Sequence, residues 1–293
     1  MIIVKLIGGL GNQMFQYATG KALANRHGVE LKLDISSFKQ QLGEVITPRH
    51  FELDVFNCDI KFATEEEILE FEVLKSSRWK RILQRKMPNM FSKIYFSESG
   101  HLYHSVFNTL PKHVYLEGYW QNENYFKNIR STLLKDFQIR QTMPTEVNKW
   151  LSKIKEAHSV AIHVRRGDYV NLSSANAFHG LCSLDYYESS VEHLQEQLKD
   201  LELFVFSDDL DWCKANLKFA QKINFVELKQ LACWELFLMS QCQHNIIANS
   251  SFSWWAAWLN QTSNKNVCVP QNWFVNTPSS SIDIVAENWT VIE

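Results

Sequence analysis

Apolar and polar positions at the amino terminus follow first the period of a strand and then that of a helix. Residues 2–7 form a nearly continuous apolar run, which predicts a buried strand. A glycine-rich turn over residues 8–11 follows, and apolar residues then recur at helical spacing over residues 12–27, until Gly28 ends the pattern. Residues 30–34 have the composition of a second strand. The chain therefore opens with a strand–helix–strand unit.

From residue 159 onward, short apolar runs alternate regularly with stretches of helical periodicity. This alternation is typical of an α/β unit on a parallel sheet, because each helix returns the chain to the start of the next strand. The predicted strands cover residues 160–164, 201–206, 223–226, 245–248 and 266–269, and the predicted helices cover residues 185–198, 210–219, 231–241 and 252–260.

The middle of the chain is less regular and supports fewer predictions. We expect a helix from residue 65, a strand over residues 113–118 and a helix over residues 122–137. A chain of 293 residues exceeds the usual size of one domain. We therefore expect two α/β domains, one over residues 1–155 and the other over residues 156–293.

Composition excludes several classes of protein. Hydrophobic residues make up 45% of the chain and charged residues 21%, which is the balance of a globular protein. The net charge is −2, so a general nucleic-acid-binding surface is not expected. The longest apolar run, residues 254–259, is far shorter than the roughly 20 residues that span a bilayer. The amino terminus lacks the pattern of a signal peptide, and six scattered cysteines favour reduced, mostly buried thiols. These features indicate a cytoplasmic protein.

A basic segment, residues 75–93, carries seven lysine and arginine residues and no acidic residue. Large apolar side chains lie between the charges. One interpretation is a solvated helical face. The other is a surface for peripheral contact with anionic lipid, or with a lipid-linked substrate, at the inner face of a membrane.

Polar clusters follow four of the predicted strands. In open parallel sheets, ligands bind beyond the carboxyl ends of the strands, so these clusters are the candidate site. The clusters are residues 8–13, 163–168, 207–209 and 249–251. The first contains Gly9 and Gly11 but lacks the third glycine of a dinucleotide fingerprint. It is interpreted either as a tight strand-to-helix turn or as a loop whose backbone approaches a ligand closely.

The sequence His163-Val164-Arg165-Arg166-Gly167-Asp168 is more informative. Adjacent arginines at a strand end point to opposite faces. One of them can therefore bind phosphate through its guanidinium fork, while the other forms a salt bridge, for which Asp168 is the expected partner. The alternative is that both arginines form only structural salt bridges.

Two further clusters offer anion and base contacts. Asp208 could accept both hydrogen bonds that guanine donates from N1 and N2, or it could be an acid at a helix start. Asp209 and Asp211 fit a metal-binding DxD pattern, but acids are common at helix starts and we expect no metal site. Ser250 and Ser251 offer hydroxyls and helix amides for an anion, or a helix cap alone. The tryptophans that follow are interpreted as core or as a ligand platform.

Taken together, five segments resemble glycosyltransferase family 11, the α-1,2-fucosyltransferases. The resemblance covers nearly the whole chain, and the set is specific although no single segment is. The segments are LIGGLGNQMFQYA (6–18), LEGYWQNENYF (116–126), HVRRGDYV (163–170), FSDD (206–209) and IIANSSFSWWAAWL (246–259).

The resemblance implies an α/β fold of GT-B type, with two Rossmann-like domains facing across a cleft. Residues 1–155 would then be the acceptor-side domain and residues 156–293 the GDP-fucose-binding domain. The implied reaction is an inverting transfer from the donor substrate GDP-L-fucose to O2 of a terminal galactose. It implies no cofactor and no required metal, and the acceptor is a galactose-terminated glycan that could be lipid-linked.

The resemblance also implies roles for individual residues. Arg165 would bind the β-phosphate, Asp208 would bind guanine, and His163 would line the nucleotide pocket. The diphosphate would be bound by Ser250, Ser251 and Phe252. Asn12, in the loop with Gly9 and Gly11, would lie at the reacting centre.

The identity of a general base is open, because the carboxylate that α-1,6-fucosyltransferases carry five residues after the motif aspartate is replaced by Ser173. Our candidates are Asn12, as a group that positions the substrate, and Asp168, as a carboxylate. Two other functions remain: a fucosyltransferase of another linkage, such as α-1,6, and a non-catalytic protein that binds a nucleotide sugar or a glycan.

Overall fold

A computed structural model describes residues 1–39, 49–75, 82, 84, 86–87, 90–167, 180–275, 277 and 283–293. These residues form two compact units, Met1–Arg140 and Gln141–Glu293. The second unit begins earlier than residue 156, the predicted domain start. The reason is a helix over residues 145–156, which packs on another helix of the second unit.

The first unit is built on a four-stranded parallel sheet with strand order β2-β1-β4-β3. Strand β1 lies in the middle and pairs in parallel with β2 and with β4. The sequence predicts three of the four strands but misses β3. This strand has only four residues and ends at a serine, beside a segment without regular periodicity. The strands are β1 (Ile2–Lys5), β2 (Leu31–Asp34), β3 (Ile94–Ser97) and β4 (Val114–Glu117).

Helices cover both faces of this sheet. On one face, α1 approaches so closely that a β-carbon on its Gly20 would lie 2.7 Å from Leu31. On the other face, Phe71 of α3 packs with Ile3, Tyr95 and Tyr115. The α-helices are α1 (Leu10–His27), α2 (Ser36–Lys39), α3 (Glu65–Lys75) and α4 (Arg130–Asp136), and short 3₁₀ turns lie at residues 53–55, 105–109, 123–125 and 127–129.

The predicted helix over residues 122–137 is wrong for its first half. Only α4 is α-helical, and the residues before it form two 3₁₀ turns. The side chain of Asn122 accepts a hydrogen bond from the N–H of Asn124, which closes the first turn locally. Phe126 then has φ −142°, outside the helical range, so the helix cannot start before it.

The second unit is a six-stranded parallel sheet with strand order β10-β9-β8-β5-β6-β7. Counted from the first strand of the unit, this is the order 3-2-1-4-5-6 of a doubly wound nucleotide-binding sheet. The α/β class with two parallel sheets is thereby confirmed. The strands are β5 (His158–Val164), β6 (Leu201–Ser207), β7 (Lys222–Phe225), β8 (His244–Ile246), β9 (Val267–Pro270) and β10 (Thr290–Ile292).

Alternation along β5 separates the two faces of this sheet. Val160, Ile162 and Val164 pack with residues of α6 and α7, whereas His163 points to the other face, where it contacts Phe252 of α9. The helices are α5 (Thr145–Glu156), α6 (Leu184–Gln195), α7 (Leu210–Asn216), α8 (Ala232–Gln241) and α9 (Ser251–Leu259). The sequence predicts all of them except α5.

The tryptophans of α9 belong to the core. Trp254, Trp255 and Trp258 are all buried, and the indole N–H of Trp254 donates to the carbonyl of Ile284 at 2.7 Å. The core interpretation of these residues is therefore confirmed over the ligand platform. The cysteines also behave as predicted, since all six are free thiols and five of them are buried.

Within the residues that the structure describes, no helix combines the length and the apolar character that crossing a bilayer would require. Most of the basic segment 75–93, to which the predicted membrane contact refers, lies outside the described residues.

Candidate active site

The switch point of the second sheet lies between β5 and β8, because the chain leaves these neighbouring strands in opposite directions along the sheet. The motif His163–Gly167 begins with the last two residues of β5. The cluster Ser250–Phe252 forms the start of α9, shortly after β8. The rings of His163 and Phe252 lie 5.8 Å apart, centroid to centroid. The structure therefore brings these two predicted clusters together.

Arg165 is held by Asp208, which follows the neighbouring strand β6. The guanidinium Nη1 lies 2.9 Å from Oδ2 of Asp208, and Oδ1 of the same carboxylate accepts the N–H of Arg166 at 2.8 Å. About a quarter of each side chain of this ion pair is exposed. The carboxylate thus fixes both the backbone and the guanidinium of the motif, while leaving part of the fork accessible.

Arg166 forms its own contacts on the other side of the strand end. Its Nε lies 3.2 Å from Oδ2 of Asp209, and its guanidinium lies 3.8 Å from the ring centroid of Trp212. The sequence predicts that one arginine pairs with Asp168. That residue lies outside the described residues, and the partners that the structure gives the two arginines are Asp208 and Asp209.

The Asp209-Leu210-Asp211 sequence has a structural role. Oδ1 of Asp209 accepts the N–H of Trp212 at 3.1 Å and caps α7, while Oδ2 pairs with Arg166. The side chain of Asp211 is fully exposed. Among the described residues, no group of three or more histidine, cysteine or acidic side chains could hold a metal ion.

His163 is a buried neutral imidazole. Burial and, to a lesser extent, the positive charge of Arg165 lower its pKa to about 3, although Asp208 opposes this shift. Its Nδ1 is buried and has no hydrogen-bond partner in the part of the chain that the structure describes. A buried polar atom without a partner is costly, so this nitrogen is suited to contact a bound ligand.

Ser250 is the cap of α9. Its hydroxyl oxygen accepts the N–H of Phe252 at 3.3 Å, and the preceding Asn249 is buried and donates to the carbonyls of Gly180 and Trp273. Ser251 is the first residue of the helix. Ser250 therefore caps the helix, which is compatible with both interpretations, and the cap presents helix amides at the carboxyl end of the sheet.

Glu235, on α8, is a candidate site residue that is not among the residues predicted from the sequence. Burial raises the pKa of its carboxyl to about 7, and the negative charge of Asp208 adds to the rise. The signal in the sequence is an acid within the otherwise apolar helix ACWELFLMSQ. A second carboxyl group therefore shares the electrostatic environment of Asp208.

In the first unit, the glycine loop follows β1, which lies between β2 and β4 in the sheet. Gly8 has φ +78°, and a β-carbon there would lie 2.6 Å from Nδ2 of Asn12. The helix starts earlier than predicted, so Gly9 is its cap, and Gly11 and Asn12 lie in its first turn. Oδ1 of Asn12 accepts a hydrogen bond of 2.8 Å from Nε2 of Gln121.

Two buried glutamines hold this loop in place. Gln13 donates to the carbonyls of Gly8 and His50 and accepts the N–H of Glu52. Gln16 accepts the N–H of Ile7 and donates to the carbonyl of Gly118. Hydrogen bonds of both glutamines therefore tie the loop to neighbouring segments, and Asn12 contacts Gln121, which follows β4.

Comparison with known proteins finds relatives that align with most or all of the chain. The chain is 36% identical to the alpha-1,2-colitosyltransferase of Escherichia coli over 100% of this chain and 99% of that protein. It is 32% identical to the O-antigen biosynthesis glycosyltransferase WbnK of Escherichia coli over 97% of this chain and 98% of that protein. It is 24% identical to the galactoside 2-alpha-L-fucosyltransferase Sec1 of Mus musculus over 88% of this chain and 64% of that protein.

The sequence profile of glycosyl transferase family 11 matches residues 1–293, the whole chain. All the segments that carry the resemblance lie within this match, including those that contain Arg165, Asp208 and Asn12. The chain belongs to glycosyl transferase family 11 and is a glycosyltransferase.

Proposed function

We propose that this enzyme transfers L-fucose, with inversion, from GDP-β-L-fucose to O2 of a terminal β-galactoside on a surface glycan. The observation that carries the proposal is the position of the Arg165–Asp208 pair and of the α9 cap at the switch point of a doubly wound sheet. Nucleotides bind at this point in such sheets, and an arginine fork with helix amides suits a diphosphate.

The donor contacts follow from the chemistry of each group. Arg165 would bind the β-phosphate, and the hydroxyls and amides at Ser250, Ser251 and Phe252 would bind the diphosphate. Asp208 would accept from guanine in addition to orienting Arg165. The unpartnered Nδ1 of His163 would contact the nucleotide, as a neutral group that adds no charge.

The proposed reaction is an in-line displacement at C1 of fucose. The galactose hydroxyl attacks one face while GDP leaves from the other, so negative charge grows on the β-phosphate. Arg165 and the amides of α9 therefore stabilise the transition state more than the ground state. Asn12 would position the acceptor hydroxyl, and Asp168 remains the proposed carboxylate that takes its proton.

Colitose is the second candidate for the donor sugar. A relative with 36% identity over the whole chain is a colitosyltransferase, and colitose is L-fucose without its 3-hydroxyl group. A site that makes a hydrogen bond to this hydroxyl rejects the deoxy sugar strongly, whereas a site without such a bond discriminates weakly. The galactoside acceptor is supported by the name of the mouse relative, and the surface glycan by that of the O-antigen relative.

The test is a transfer assay with GDP-L-fucose and GDP-L-colitose against a panel of β-galactosides, each with and without EDTA. We expect GDP release with GDP-L-fucose, a product whose linkage analysis gives α-1,2, and no loss of activity in EDTA. A higher kcat/KM with GDP-L-colitose would identify colitose as the donor sugar. An α-1,6 product would identify the enzyme as a transferase of that linkage. Binding of GDP-L-fucose without turnover on any acceptor would favour a non-catalytic binding protein.

A further inference from the structure

A half-buried carboxylate in the first unit holds an unusual turn at the end of β4. Trp120 in this turn has φ +58°, a conformation that non-glycine residues rarely adopt, and its side chain is completely buried. Oε2 of Glu98, which follows β3, accepts the N–H of Tyr119 at 2.7 Å and the N–H of Trp120 at 2.9 Å. Two adjacent amides thus depend on one oxygen atom.

The rest of the turn is equally constrained. A β-carbon on Gly118 would lie 2.5 Å from Cβ of Glu98, so glycine is required for the close approach of β3 and β4. The carbonyl of Gly118 accepts from Gln16 of α1 at 3.0 Å. Backbone strain that several elements hold together in this way is typical of a functional site.

The turn presents two kinds of contact surface. Tyr119 is 47% exposed, so one aromatic ring faces solvent beside the strand end. Gln121 lies against Asn12, with Nε2 donating to Oδ1. The amide pair then retains one donor group, Nδ2 of Asn12, and one acceptor, Oε1 of Gln121. Neither makes another hydrogen bond within the described ranges of the chain.

We propose that Tyr119, Gln121 and Asn12 form the subsite for the acceptor galactose, and that Glu98 is the positioning residue that holds it. The C–H groups on one face of a galactopyranose ring form an apolar patch that packs on an aromatic ring. A sugar hydroxyl both donates and accepts, which matches the free donor and acceptor of the amide pair. This proposal rests on the proposed function, because it names the groups that bind the acceptor in that reaction.

The test measures the KM for lactose, a β-galactoside, with GDP-L-fucose as donor. Tyr119→Ala should raise this KM about tenfold, which corresponds to 1.4 kcal/mol, and should leave the calorimetric Kd for GDP unchanged. Tyr119→Phe should restore the KM to within about threefold of wild type, since packing needs the ring. The matched control is Phe62→Ala, which removes another aromatic ring of the first unit that is 46% exposed.

Glu98 is tested in the same assay. Glu98→Leu removes the acceptor of both amide hydrogen bonds and should raise the KM for lactose at least tenfold. Glu98→Gln retains one oxygen that can accept both hydrogen bonds, so the KM for lactose should stay close to that of the wild type. A thermal unfolding curve and a far-ultraviolet circular dichroism spectrum like those of the wild type show that the first unit of each variant is folded, and the unchanged Kd for GDP shows that the second unit is intact. Transfer by the wild type with an unaltered KM in Tyr119→Ala and Glu98→Leu would overturn the subsite while leaving the proposed function intact. Absence of transfer by the wild type to any β-galactoside would overturn both.

Discussion

Arg165 combines two demands that only a guanidinium satisfies at once. It pairs with Asp208 at 2.9 Å, and it is proposed to bind the β-phosphate as well. Arg165→Ala should therefore lower kcat by about 10²–10³, as loss of one group that stabilises the transition state does. Arg165→Lys should recover little, because an ammonium group cannot contact both partners in the same geometry.

Steady-state kinetics with GDP-L-fucose measure this effect. The control is Arg166→Lys, one residue further on, which keeps a positive charge near Asp209 and should cost less than about fivefold. Near-normal turnover of Arg165→Lys would show that the phosphate contact lies elsewhere.

Asp208 carries a second prediction at the level of one residue, namely the choice of nucleotide. Guanine donates from N1 and N2 on one edge, whereas adenine presents an acceptor at N1 and uracil fills less of a pocket. We expect GDP to bind at least tenfold more tightly than ADP or UDP, which is about 1.4 kcal/mol. Asp208→Asn should weaken the binding of all three diphosphates, because Asp208 also holds Arg165. It should also reduce the preference for GDP over ADP and UDP.

Calorimetric titration of the three diphosphates into wild type, Asp208→Asn and Glu235→Gln decides which carboxyl group contacts the base. A smaller preference for GDP over ADP and UDP in Asp208→Asn supports the proposed contact between Asp208 and guanine. A smaller preference for GDP in Glu235→Gln alone would move base recognition to the half-buried carboxyl of α8. Equal affinities of the wild type for the three diphosphates would remove guanine recognition from this site.

The sequence predicts the types of residue in the site better than their partners. Arg165 and Asp208 are both recognisable at strand ends, but Asp168 is the expected partner because it is near in sequence. The pairing of Arg165 with Asp208 depends on the register of β5 with β6, in which Val164 lies beside Ser207. That register places residues 165 and 208 side by side, and no periodicity in the sequence reveals it. For the same reason Gln121, 109 residues from Asn12, is not predicted.

At the level of elements, long periodic segments are predicted well and short ones are not. The helix of residues 10–27 and the alternation of the second unit follow from apolar spacing alone. The strand β3 has only four residues, and the two 3₁₀ turns before α4 depend on the local cap at Asn122. Such features are set by tertiary contacts and single side chains, which a pattern of apolar residues does not record.

The starts of β5 and β8 are joined by a pair of histidines whose protonation is defined by their neighbours. Nδ1 of His244 accepts the N–H of Asn266 at 3.0 Å, so its proton lies on Nε2, which is 3.3 Å from Nε2 of His158. Nδ1 of His158 lies 2.7 Å from the carbonyl of Lys199 and must donate to it. Nε2 of His244 therefore donates to Nε2 of His158.

This pair predicts a loss of stability in mild acid. Burial lowers the pKa of His244 to about 4, and the neighbouring His158 adds to this, whereas the unfolded value is 6.5. The unfolded chain therefore binds the proton first, and the free energy of unfolding falls as the pH falls from 6.5 towards 4. The contribution of His244 to this fall is on the order of 2–3 kcal/mol.

Urea unfolding at a series of pH values measures how the free energy of unfolding depends on pH. His244→Asn, whose side-chain oxygen can still accept from Asn266, should flatten the dependence between pH 6.5 and 4. His193→Asn, at a partly exposed position of α6, is the control and should leave this dependence as in the wild type. An identical slope in His244→Asn and wild type would assign the acid sensitivity to other groups.

For the whole molecule, the sequence predicts two α/β halves but places their boundary late. The missed helix α5 explains the difference. Its buried residues Val147 and Ile154 pack it onto the second unit, in contact with α8. Helical periodicity is present in α5, but a boundary drawn at the first clear strand, β5, assigns this helix to the preceding half.

The division at Arg140 predicts how the chain can be cut. Residues 141–293 contain every group proposed to bind the donor nucleotide, together with a complete doubly wound sheet. We expect this fragment to unfold cooperatively and to bind GDP with a Kd within about tenfold of that of the full chain, or 1.4 kcal/mol. Residues 1–140 should not bind GDP measurably. Calorimetric titration with GDP and thermal unfolding of both fragments provide the measurement.

A fragment that starts at residue 156 is the matched control, because it lacks only α5 and the residues before it in the second unit. Removing α5 leaves the apolar surface of α8 uncovered, and each fully buried side chain that is lost contributes about 1.5–3 kcal/mol. We therefore expect the shorter fragment to melt at a clearly lower temperature or to aggregate. Equal stability of the two fragments would show that α5 is not part of the second unit. A folded 141–293 fragment that fails to bind GDP would show that the first unit supplies essential donor contacts.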